Sequence, residues 1–149
     1  MGKKTSERQA RKSKFTVSKN PESNSMHPVW AFDKIDVEGV FAFTPPRVDA
    51  KLVLEKLVSY SSMTWQQILQ QTHDNSKSKN HPLENLYCLS DKALERIKKK
   101  KFSDEDLEKL FSLALNNTVR LIGFREGAIF QIVWYDAEHE FATSKLKHT

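Results

Sequence analysis

The run from Leu113 to Trp134, L-A-L-N-N-T-V-R-L-I-G-F-R-E-G-A-I-F-Q-I-V-W, constrains the fold of this chain more than any other stretch. Its three apolar segments are rich in β-branched and aromatic residues, which favour strands. Asn116-Asn117 and Arg125-Glu126-Gly127 divide them, and Asn-Asn and Glu-Gly tolerate the positive φ of tight hairpin turns. The reading is a three-stranded antiparallel meander at the centre of an α+β domain, with helices grouped on one side.

A register follows if Glu126 and Gly127 are the central turn residues. Arg125 then pairs with Ala128, Gly123 with Phe130, Leu121 with Ile132 and Val119 with Trp134. Side chains alternate across a strand, so Val119, Leu121, Phe130, Ile132 and Trp134 are expected to meet the core. The opposite face then gathers Thr118, Arg120, Gln131 and Tyr135 among Ile122, Phe124, Ile129 and Val133. Polar groups set among apolar walls are where a site is expected. A one-residue slip would invert both faces.

Upstream, Trp30 and Phe32 alternate with smaller neighbours, Asp36 to Gly39 offers a turn, and Val40 to Phe43 resumes an apolar run. This pattern predicts a second hairpin, stopped at Pro45-Pro46 because proline cannot donate into a ladder. From Val48 the period becomes helical, with Leu52, Val53, Leu57 and Tyr60 on one face. A second helix follows around Trp65, Ile68 and Leu69. Thr72 to Pro82 is polar and ends on proline, a loop. Ser90 is placed to cap D-K-A-L-E-R-I-K-K-K-K. Ser103 with Asp106 resembles a capping box, in which Phe102 staples to Leu107.

The charge is unevenly placed. The net charge is +5, yet residues 1 to 20 hold seven basic groups against Glu7 alone, a net of +6. The remaining chain has 17 basic groups facing 18 acidic ones. The segment opening G-K-K-T-S-E-R-Q-A-R-K-S-K cannot bury enough apolar surface to offset ordering entropy. A disordered basic arm is expected over residues 1–26, followed by a single α+β domain over 27–149. A basic arm suits a phosphate backbone, or serves only to solubilise. The single cysteine, Cys88, permits no internal disulfide. No apolar run spans a bilayer and no secretory leader is visible, so a cytoplasmic protein with no membrane partner is expected.

The chemistry-bearing residues lie late in the chain. Lys98, Lys99, Lys100 and Lys101 form a run that either matches the helix dipole or contacts phosphate. Beyond Trp134, Asp136, Glu138, His139 and Glu140 adjoin the last strand, with Lys145 and Lys147 near the terminus. A histidine beside carboxylates can act as a general acid or base near neutral pH, or simply close the strand. His73, His81, Cys88 and His139 match no zinc-ligand spacing, and the four glycines form no phosphate cradle. No metal and no cofactor are expected.

The run R-L-I-G-F-R-E-G-A-I-F-Q-I-V-W-Y-D-A-E-H-E-F resembles the C-terminal sheet of RelE/ParE-type bacterial toxins over residues 109 to 141. The chain also resembles a group of uncharacterised bacterial and phage proteins with W-x-F-x-x-(I/L/M)-D early and W-x-D-x-x-H late. Here these are Trp30 to Asp36 and Trp134 to His139. The toxin resemblance implies a metal-independent endoribonuclease of a toxin–antitoxin system, with RNA or the ribosome as target and an antitoxin as partner. By position, Arg120, Tyr135 and His139 would be catalytic. Arg125 would bind phosphate by the same correspondence, while Gln131 on the Arg120 face and the lysines Lys98 to Lys101, Lys145 and Lys147 are nucleic-acid-binding candidates from their own placement and charge. The slightly acidic body and the long helical middle, residues 48 to 110, depart from that pattern. Two other classes stay open: a non-catalytic nucleic-acid or ribosome-binding module, and a protein-binding inhibitor of a host enzyme.

If the arm contacts phosphates, deleting residues 1 to 20 weakens RNA binding and flattens its salt dependence, because fewer counterions are released. Titrations at several salt concentrations check this, and identical curves for both forms would reduce the arm to a solubilising tail.

Overall fold

β3 (Leu110–Ala114), β4 (Arg120–Glu126) and β5 (Ile129–Asp136) pair antiparallel in chain order, as the apolar runs require. The computed structural model describes residues 21–73 and 77–142. Before the meander come α1 (Pro21–Asn24), β1 (Val29–Ala31), α2 (Ala50–Ser61), α3 (Trp65–Leu69) and β2 (His81–Pro82). A 3-10 turn at Leu86–Cys88, α4 (Asp91–Lys100) and α5 (Asp104–Leu107) complete the set. The fold class is α+β, with strand order β1-β5-β4-β3-β2.

The helix starts obey local chemistry. Asp49 accepts from Leu52 N–H at the head of α2, and Thr64 forms a capping box with Gln67 on α3. Ser90 caps α4, and Ser103 forms the expected box with Asp106. Val53, Leu57 and Tyr60 are the buried stripe of α2.

Four expectations are corrected. The sheet is mixed rather than antiparallel, because β1 runs parallel to β5, Val29 opposite Ile129. The second hairpin does not form: Val40 to Phe43 is not a strand, and Phe41 instead accepts from the Tyr135 N–H. A parallel neighbour requires a long crossover, and here everything from α2 to β4 supplies it. The helices are not on one side. Val53, Leu57, Tyr60, Trp65 and Ile68 pack on one face with Leu121, Phe130, Ile132 and Tyr135. Leu89, Ala93, Ile97 and Phe141 pack on the other with Ile122, Phe124, Val133 and Trp134. Strands apolar on both faces must be covered on both. Order also begins before residue 27. Ser23 is buried, Met26 carbonyl accepts from Trp65 N–H, and Asn24 accepts from Arg125. Hydrogen bonds, not apolar burial, anchor this segment, so its polar composition concealed it. Residues 1–20 of the expected arm lie outside the described residues.

The register also differs. Glu126 pairs with Ile129, leaving Gly127 and Ala128 as the turn, with Gly127 at φ +60°. Glycine first is the II′ placement, whereas the expected turn had it second. Gly123 then faces Ile132, but Ile122 faces Trp134, so Val133 is an extra residue in a β-bulge. Its carbonyl accepts from Asp36 N–H at 2.9 Å. The bulge sends Trp134 and Tyr135 to the faces opposite those expected. Leu121, Phe130, Ile132 and Trp134 are buried as expected, while Val119 is only partly so.

Gly123 sits at the start of the bulge with no room for a side chain, since an added Cβ would lie 1.9 Å from the Gln131 carbonyl oxygen. That neighbour is backbone and cannot swing aside. Ile132→Ala is expected to cost about 2–5 kcal/mol through lost burial and a cavity. Gly123→Ala is expected to lower the melting temperature further than Ile132→Ala, and a wild-type melt for it would refute this crossing.

Candidate functional site

The end of the sheet remote from the β4–β5 turn is built around two buried charges on opposed strands. Arg120 opens β4 and Asp136 closes β5, and the two are cross-strand partners. Arg120 is 5% exposed and Asp136 2% exposed. Such groups need hydrogen bonds to offset lost hydration. The Arg120 guanidinium donates to the carbonyls of Asn116, Asn117 and Val119, closing the β3–β4 turn. Burial lowers its pKa and the Asp136 charge opposes this. The Asp136 carboxylate accepts from the N–H groups of Glu140 and Phe141, at 2.8 and 2.9 Å.

This acceptor holds the turn that presents His139. His139 has φ +57°, a left-handed conformation uncommon for residues other than glycine. Such conformations persist where the surroundings impose them, and they cluster at functional sites. Here Asp136 grips the two residues that follow. A separate anchor positions His81. Asn80, 1% exposed, donates to the Ile68 carbonyl and accepts from Ala114 N–H, pinning the chain before β2 to β3. The Tyr60 hydroxyl donates to the Ala114 carbonyl beside it, at 2.6 Å.

Between these anchors lies a cavity of about 580 Å3, within the usual range for small-molecule sites. Arg120, Ser112, His139, His81, His73 and Cys88 line it, with Lys77, Lys79 and Glu84 also contributing. Much of the wall is apolar, but its charge balance, three cations and three imidazoles against the single carboxylate of Glu84, suits an anion. Loss of bulk water lowers the His139 pKa below its ordinary value, and the Arg120 charge reinforces this. Asp136 opposes the shift, and His81 and His73 add to it. His139 is therefore neutral near pH 7, the form in which an imidazole accepts a proton.

Of the site residues expected from sequence, Arg120 and His139 are brought together. Tyr135 is not, because the bulge turns it to the opposite face, edge-on to Phe43 and accepting from Asp49 N–H. Gln131 pairs with Phe124, five residues along β5 from Asp136, and is remote from the cavity. Arg125 is structural: its guanidinium stacks 4.4 Å from the Trp65 ring and donates to Gly127 carbonyl and to Asn24. Burial brings its pKa to about 10. Lys98, Lys99 and Lys100 form the last turn of α4, and Lys101 is its left-handed cap, away from the cavity lining. Lys145 and Lys147 lie outside the described residues.

His73, His81, Cys88 and Ser112 were not legible as site residues. Sequence spacing set the first three aside together with His139 as a scattered group, yet all four reach one cavity. Among the described residues, no three His, Cys, Asp or Glu side chains are grouped to hold a metal ion. Among the same residues, no helix is long and apolar enough to cross a membrane. Comparisons with protein-family models, curated proteins and solved structures find no match.

Because the folded state disfavours protonated His139, the unfolded chain takes up that proton more readily. This residue therefore works against folding as the pH falls below about 6.5, its ordinary value. NMR titration should place the His139 midpoint below that value, and Arg120→Gln should move it upward. A wild-type midpoint above 6.5 would show that the cationic surroundings are not felt.

Proposed function

We propose that this protein acts on RNA and that the histidine-lined cavity receives a phosphodiester. The observation that supports this reading is the meeting of Arg120, His139, His81 and His73 from three separate segments around one chamber. The reaction class is transesterification without a metal. A neutral histidine, for which His139 is suited, takes the proton of a ribose 2′-hydroxyl. The oxygen attacks phosphorus, the bond from phosphorus to the 5′-oxygen breaks, and a second histidine, His81 or His73, acts as the general acid that supplies the proton to the leaving oxygen. The products are a 2′,3′-cyclic phosphate and a 5′-hydroxyl. Arg120 supplies fixed positive charge beside the developing negative charge on phosphorus. Its own N–H groups close the 116–119 turn, so its role is electrostatic as well as structural.

A toxin of the RelE/ParE kind, with an antitoxin as partner, is the biological setting this chemistry suits. In the second reading the same chamber holds RNA without cutting it, and the Arg120 bonds to three carbonyls favour that version. Inhibition of a host enzyme by protein contact has less to recommend it, since the cavity is concave and cationic.

The deciding experiment incubates end-labelled single-stranded RNA with the full chain in the presence of a chelator. His139→Ala is expected to slow cleavage by about 100-fold or more, the usual worth of general acid–base catalysis. Its melting temperature should stay within a few degrees of wild type. Arg120→Lys, which keeps the charge, should retain more activity than Arg120→Gln. Undiminished cleavage by His139→Ala would overturn the catalytic assignment, and RNA bound but never cut by wild type would move the binding module ahead.

A further inference from the structure

A second concavity adjoins the histidine chamber, and the 3-10 turn Leu86–Cys88 divides them. Cys88 faces the chamber, whereas Leu86 and Tyr87 line the adjoining groove with Leu94, and Glu84 and Asn85 border both. Tyr87 is 83% exposed, the most exposed large hydrophobic side chain among the described residues. Leu86 and Leu94 are also exposed, at 40% and 39%. An exposed aromatic ring on a tight turn, in a groove that Leu86, Leu89 and Leu94 also line, offers a flat surface for stacking. The turn itself is firm. Asn85 caps it by accepting from Tyr87 N–H, and the Leu89 N–H closes it onto the Leu86 carbonyl.

The two compartments differ in charge. Three cations and three imidazoles line the chamber, with Glu84 shared at its border, while the described lining of the groove holds Glu84 and Asp91 and no cation. A nucleotide is divided in the same way, into an anionic phosphate and a flat, neutral base with N–H donors on its edge. Resting on the reading above, we infer that the groove is a nucleobase subsite. An unpaired base stacks on Tyr87 while its phosphate enters the histidine chamber. Asp91, which lines the groove and not the chamber, repels a second phosphate and accepts hydrogen bonds from base N–H groups, so bases with an exocyclic amino group are preferred over uracil. Stacking on a ring and reading a base edge both require a single strand, because pairing hides that edge. The substrate class is therefore single-stranded RNA with an amino-bearing base at the cleavage site.

Amide NMR on the full chain tests this, with inorganic phosphate, guanosine 5′-monophosphate and uridine 5′-monophosphate as probes. Phosphate should move the resonances of His81, Ser112 and His139 only. The guanosine nucleotide should move these together with Tyr87 and Leu94, and should bind more tightly than the uridine one. Tyr87→Ala should weaken the guanosine nucleotide by roughly 5- to 100-fold, the usual worth of one stacked base, and leave phosphate unaffected. Tyr87→Phe should keep wild-type affinity. If nucleotides and phosphate move the same resonances, or Tyr87→Ala leaves their affinity ratio unchanged, the base subsite is wrong while the phosphate chamber stands. If phosphate moves nothing in the chamber, the proposed function fails, and this inference with it.

Discussion

One buried carboxylate holds the sheet, both cores and the early loop in register. Asp36 is 1% exposed and accepts from Arg96 Nε and Nη2 at 2.7 and 2.8 Å, from Trp134 Nε1 at 2.8 Å and from Glu38 N–H. Its own N–H donates to Val133 and its carbonyl accepts from Phe43. Burial alone would raise its pKa, but the Arg96, Glu38 and Trp134 donors outweigh that and hold it below the usual carboxylate range. Its ion pair therefore stabilises the fold above that range and is lost as the pH falls through the depressed value. Removing one member of such a pair typically costs about 3–5 kcal/mol, since the other charge is left buried without compensation.

What Asp36 fixes is the bulge. Val133 has no partner on β4, and its carbonyl is satisfied by Asp36 instead. Without the extra residue, the pairing of Gly123 with Ile132 would continue to Arg120 opposite Tyr135. With it, Arg120 faces Asp136, and Tyr135 turns to the other core. A carboxylate then stands where it can grip the 136–141 turn and aim His139 at the chamber. The site at one end of the sheet thus depends on an interaction near its middle. The two tryptophan motifs, Trp30 to Asp36 and Trp134 to His139, meet here through the bond from Trp134 to Asp36.

The chamber and its neighbouring groove draw on other parts of the chain. His81, in the short strand β2, and Tyr87, in the 3-10 turn, lie between α3 and α4, held by Asn80 and Asn85. Rigid anchoring of short loops by buried or capping asparagines is how a scaffold fixes loop side chains that carry chemistry.

By itself the sequence determined the meander, the helix starts at Ser90 and Ser103, the stripe of α2, and Arg120 with His139 as candidates. Each of these follows from periodicity, capping chemistry or residue type within a few neighbours. The tertiary structure decided the parallel pairing of β1 with β5 and the coverage of both sheet faces. It also decided which side Tyr135 takes and the gathering of His73, His81 and Cys88 around Arg120. The physical reason is range. Alternation foretells faces only while the ladder is regular, and the residue that breaks it, Val133, is stabilised by Asp36 from nearly a hundred positions away. Pairing between distant strands depends on contacts that no local window contains.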